Sequence, residues 1–134
     1  MIDIRTGKSI KDYPILEDPQ LYIYIILNEV GKVKIGKSKN IEKRYHSLCG
    51  SNGQGNEIVK IYVSECTYLY TMERIMHNKF NRYRIPKTEW FYDKDEPTGK
   101  VLFDKAISEL ELLFSSDGYK KNNLLRKNIY DKRN

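Results

Sequence analysis

The run Leu21-Tyr22-Ile23-Tyr24-Ile25-Ile26-Leu27 constrains the fold more than any other part of this chain. It is aromatic and β-branched and only strand-length, so it reads as a strand. Tyr22, Tyr24 and Ile26 share one face, while Leu21, Ile23, Ile25 and Leu27 share the other. Asn28-Glu29-Val30-Gly31 has turn chemistry, with Gly31 available for a positive φ. Lys32 to Gly36 then returns, with Lys32, Lys34 and Gly36 on one face and Val33 and Ile35 on the other. The pattern is a hairpin. Pairing positions that sum to an even number keeps Ile23, Ile25, Val33 and Ile35 together as an apolar face. The expected partners are Tyr24 with Lys34 and Ile26 with Lys32, because a one-residue slip would part the two groups onto opposite faces.

Downstream, Ser38 or Asn40 can cap a short helix whose apolar face is Ile41, Tyr45 and Leu48, with Arg44 at its border. Cys49 to Asn56 reads as a glycine-bearing loop, and Glu57 to Val63 alternates as a third strand. Thr67 to Tyr83 is helical, with Leu69, Met72, Met76, Phe80 and Tyr83 in one stripe, and Pro86 is expected to end it. Glu89-Trp90-Phe91-Tyr92 is a short aromatic segment, strand or turn, and Pro97 to Phe114 is a closing helix. The expected architecture is α+β, a small three-stranded antiparallel sheet flanked by helices. Residues 1–20 form an N-terminal extension, 21–116 the domain and 117–134 a basic tail.

A chain of 134 residues with 40% hydrophobic content holds one domain and one core. Its net charge of +6 is unevenly spread. Between Lys32 and Arg44, six cations (Lys32, Lys34, Lys37, Lys39, Lys43, Arg44) face only Glu42. The tail holds Lys120, Lys121, Arg126, Lys127, Lys132 and Arg133 against Asp131, so the rest of the chain is nearly neutral. A basic stripe on a neutral body suits a polyanion; the alternative is a solubilising face with a charged tail. Cys49 and Cys66 stand far apart with no other ligand at zinc spacing. With no apolar leader in Met1-Ile2-Asp3-Ile4-Arg5, the expectation is a cytoplasmic, reducing setting, no membrane span, and a monomer or weak homodimer.

Four residue types in order carry chemistry. Glu73 falls at the edge of the helical stripe, where a carboxylate can face a cleft and hold Mg²⁺ or Mn²⁺; the alternative is a solvated helix glutamate. Tyr24 can act on an attacking water once an adjacent cation such as Lys34, or a metal, favours its phenolate; otherwise it is a strand aromatic. Tyr22 shares that face and can help or substitute. Arg44 offers a planar fork for a pentavalent phosphoryl transition state, or is one more phosphate-binding cation. His77, four residues after Glu73, either supports the metal-binding carboxylate or transfers a proton, or is a structural histidine.

These motifs resemble the GIY-YIG nuclease superfamily. Tyr22-Ile23-Tyr24 matches the first motif, Lys34-Ile35-Gly36 the second, Ile41-Glu42-Lys43-Arg44 the arginine and Glu73 the metal-binding glutamate. The run to Lys37-Ser38, His77 and Phe80 after Glu73, and Glu89-Trp90-Phe91 are similar to the KIG-type branch of phages and mobile elements. Tyr22 stands where the superfamily name has Gly, Lys34 where it has Tyr, and Leu48 where many relatives carry His. The resemblance implies a metal-dependent endonuclease acting on DNA, with Tyr24 as general base, Arg44 stabilising the transition state and Glu73 holding one Mg²⁺. The competing expectation is a catalytically silent nucleic-acid-binding module of the same fold.

Overall fold

A computed structural model describes residues 21–49, 57–66 and 69–115. Expectations for residues 1–20, for the loop 50–56 and for the tail cations Lys120, Lys121, Arg126 and Lys127 lie outside them. The strands β1 (Leu21–Asn28), β2 (Val33–Ser38), β3 (Ile58–Cys66) and β4 (Trp90–Phe91) form one antiparallel sheet in the order β3-β1-β2-β4. Helices α1 (Ile41–Cys49), α2 (Leu69–Lys79) and α3 (Lys100–Ser115) flank it. The α+β reading stands, with a two-residue fourth strand added. No helix among the described residues is long and apolar enough to cross a membrane.

β1 is apolar on both faces because it is central and covered on both sides, so every residue from Tyr22 to Asn28 is buried. Ile23, Ile25, Leu27, Val33 and Ile35 pack with Met72, Met76 and Phe80 of α2 and Leu102, Phe103, Ala106 and Leu110 of α3. On the opposite face, Tyr22, Tyr24 and Ile26 pack with Ile41 and Leu48 of α1 and with Trp90.

The even register holds, but the partners differ by two residues: Tyr24 pairs with Gly36 and Ile26 with Lys34. The cause is the loop. Asn28 N–H donates to the Lys32 carbonyl at 3.0 Å, which leaves Glu29, Val30 and Gly31 as a three-residue connection with Gly31 at φ 84°. The Asn28 side-chain oxygen accepts from Val30 and Lys32 N–H and fixes it. A side chain on Gly31 would strike the Pro97 carbonyl, so the hairpin tip also seats the turn leading into α3.

Asn40, rather than Ser38, caps α1: its Oδ1 accepts from Lys43 N–H at 3.0 Å, while Ser38 Oγ accepts from Asn40 N–H. α2 ends at Lys79, earlier than Pro86 suggests, and a 3-10 turn follows at Asn81–Tyr83. The chain leaves the helix to form a hairpin with β4, in which Ile85 N–H donates to Trp90 and Tyr92 N–H to Tyr83. α3 begins at Lys100, after Pro97, because Glu96 receives the Thr98 hydroxyl and the Val101 N–H. Those bonds, the Thr98 hydroxyl first, hold its carboxyl below the usual range.

Candidate functional site

Tyr24 crosses β2 through the space where residue 36 has no side chain. A Cβ on Gly36 would lie 2.5 Å from the Tyr24 hydroxyl and 2.6 Å from its Cζ. Only glycine admits the ring there. The phenol is thereby carried from the α1 face toward the outer edge of β2. β4 covers that edge only at Val33 and Lys34. Just beyond, Ile35 N–H reaches the Glu89 carbonyl and the Ile35 carbonyl accepts from His77 Nε2 at 2.8 Å. A carbonyl only accepts, so Nε2 carries the proton. His77 is therefore a satisfied bridge that clamps α2 to β2 beside Gly36.

Glu73 lies one turn before His77 and is buried, 9% exposed. Its Oε1 accepts from Lys37 Nζ at 3.1 Å, and its Oε2 is buried without a hydrogen-bond partner. The solvated-glutamate alternative does not hold. An orphaned buried carboxylate oxygen fits a hard divalent cation, which takes oxygen ligands. Among the described residues no group of three or more His, Cys, Asp or Glu could hold a metal. Glu73 would then be a single protein ligand, which fits only an ion that keeps several waters, as Mg²⁺ or Mn²⁺ would.

The electrostatics of Tyr24 differ from expectation. Burial pushes its phenol well above its ordinary range; the Arg44 guanidinium pulls it down, and Glu89 and Glu73 push it up further. The cation acting on Tyr24 is Arg44, and burial outweighs it. Lys34 is on the same sheet face, yet its Nζ sits 3.2 Å from Glu89 Oε2 and 5.6 Å from the centre of the Trp90 ring. Its charge is committed to that pair and to the indole.

The remaining candidates separate. Tyr22 is fully buried beside Ile41 and Leu48 and lies across from Ser38. Lys39, Lys43 and Arg44 are exposed around the start of α1, on the Tyr24 face. Lys37 turns to the α2 face to meet Glu73, and Lys32 sits at the other end of β2, in the hairpin turn. With Lys34 between Glu89 and Trp90, the basic stripe of the sequence is therefore divided among four places. Sequence reasoning gave Glu89 no role in the site, because its place depends on a two-residue strand pairing Trp90 with Lys34. It also missed Lys37 as the partner of Glu73; alternation along β2 places Lys37 with Val33 and Ile35, on the face that α2 covers.

The family model of the T5orf172 domain matches residues 21–106. No curated protein and no solved structure matches the chain. The matched segment runs from the first residue of β1 into α3, and Tyr24, Gly36, Lys37, Arg44, Glu73, His77 and Glu89 all fall within it. The chain belongs to the T5orf172 domain family.

Proposed function

We propose that this domain is a metal-dependent endonuclease that hydrolyses phosphodiester bonds in DNA by a GIY-YIG-type mechanism. The observation that carries the reading is Glu73: a buried carboxylate with one unpartnered oxygen, close enough to Tyr24 to act on its phenol. Family membership supports it, since the T5orf172 domain is a nuclease-like, phage-associated one. Arg44 is exposed at the α1 border, where its fork can take two phosphate oxygens and the charge that grows on them. Tyr24 would first have to give up its own proton; as the phenolate it would take the proton of the attacking water, and Gly36 and the His77 bridge hold the ring in place for that step. Lys34 and Glu89 fix the β2–β4 edge beside it. Glu73 would hold the divalent cation, which would supply positive charge for the leaving oxygen.

A second reading, a nucleic-acid-binding module without cleavage, is favoured by the raised Tyr24 phenol and by the ion pair on Glu73. Plasmid and single-stranded DNA incubated with MgCl2 or MnCl2 distinguish the two. The nuclease reading predicts metal-dependent cutting that is lost in Glu73→Ala and Arg44→Ala while gel-shift binding by Glu73→Ala persists. An inert wild type that still binds DNA in a salt-sensitive way would establish the module instead.

A further inference from the structure

We infer that Lys37 Nζ is the resident counter-cation of Glu73 and that a divalent cation enters the site by displacing it, so that Lys37 sets the affinity of the domain for metal. This rests on the reading of Glu73 as a metal ligand. Lys37 follows Val33 and Ile35 on a face that is otherwise core, and it lies across from buried Ile23. A lysine there needs a reason, and the structure supplies one at 3.1 Å, on Glu73 Oε1. The pairing is incomplete, because Oε2 of the same carboxylate is buried and unpartnered. A buried carboxylate left half satisfied is costly, and a single ammonium on one oxygen does not remove that cost.

The two cations cannot share the carboxylate. An ammonium within hydrogen-bond distance of one oxygen would repel a divalent ion on the other, and the low-dielectric surroundings of Glu73 strengthen that repulsion. Lys37 is able to leave: its side chain is 32% exposed and ends a flexible four-carbon stem. Lys34 is not, with its side chain 11% exposed and its ammonium set between Glu89 and Trp90. One lysine of the site is thus fixed and the other exchangeable. Binding coupled in this way is reciprocal: whatever weakens the lysine's hold strengthens the metal's.

The test is direct Mn²⁺ binding to the full chain without nucleic acid, read by the electron paramagnetic resonance of the free ion. Wild type, K37M, K37R, E73Q and K37M/E73Q are compared, with K105M on the exposed side of α3 as a control for net charge. The expected result is a Glu73-dependent site that binds Mn²⁺ about tenfold tighter in K37M, is near wild type in K37R and K105M, and is absent from both E73Q chains. Equal or weaker binding in K37M, with the site still lost in E73Q, overturns the exchange and leaves the metal reading standing. No Glu73-dependent binding in either wild type or K37M ends both. Should K37M not fold, the side-chain NMR signal of Lys37 in the unaltered protein decides. It shifts with Mg²⁺ in wild type and not in E73Q if exchange occurs, and stays still in both if it does not.

Discussion

The hydroxyl of Tyr24 lies over Gly36, in the space that any other residue at position 36 would fill with its Cβ. That relationship fixes where the phenol ends and requires both the register and the glycine. Gly36→Ala should force the buried ring aside, destabilising the fold by about 1–3 kcal/mol and abolishing cleavage. Thermal melts and a plasmid assay check both parts, and an active, fully stable G36A would contradict the placement.

The charges around Tyr24 predict a direction in pH. Burial raises the phenol, and Glu89 and Glu73 add to the rise. Glu89→Gln should therefore lower it, and the rising limb of the pH–rate profile, where the phenol ionises, should move to lower pH. Arg44→Gln removes the opposing charge and should raise the phenol, seen in phenolate absorbance as the difference from the same chain carrying Tyr24→Phe. Shifts of the opposite sign would remove Tyr24 from the reaction.

The ion pair of Lys34 and Glu89 should be structural in its energetics. Glu89→Ala leaves the buried ammonium over Trp90 without its carboxylate and should cost about 1–2 kcal/mol, less than a fully buried pair because the Glu89 side chain is 42% exposed. A double-mutant cycle with Lys34→Met checks it, and additive losses would deny the coupling.

The hydrogen bond from His77 to the Ile35 carbonyl joins α2 to β2. His77→Phe keeps a ring near Phe91, whose centroid lies 5.4 Å away, and leaves the carbonyl unpaired. The expected cost is about 1–2 kcal/mol, with faster hydrogen exchange at the β2–α2 contact.

Lys87 occupies the third position of a turn closed by Thr88 N–H on the Ile85 carbonyl, at φ 64°. Pro86 before it and the positive φ make this a type II turn, where glycine is the unstrained choice. Lys87→Gly should stabilise the protein by about 0.5–1 kcal/mol, the relief of left-handed strain exceeding the entropy that glycine adds to the unfolded chain. A lower melting temperature would contradict it.

Much of this was legible in the residues. The two faces of the hairpin, an α1 cap at Ser38 or Asn40, and the stripe of Met72, Met76 and Phe80 all follow from local period and side-chain chemistry, and the structure selects Asn40. The two-residue displacement of Lys34 from Tyr24 was not, because it depends on a three-residue loop held by the Asn28 side chain. Nor was the burial of Glu73: a wheel places it at the rim of a stripe, and its contact with Lys37 comes from β2, 36 residues away in the chain. Long-range pairings of this kind leave no periodic signal.

Anomalous diffraction from a crystal soaked in MnCl2 decides whether Glu73 binds a divalent cation. One strong peak is expected about 2.0–2.3 Å from Glu73 Oε2, with Lys37 Nζ withdrawn from Oε1. A peak confined to other carboxylates, or none while Lys37 stays on Glu73, would contradict it.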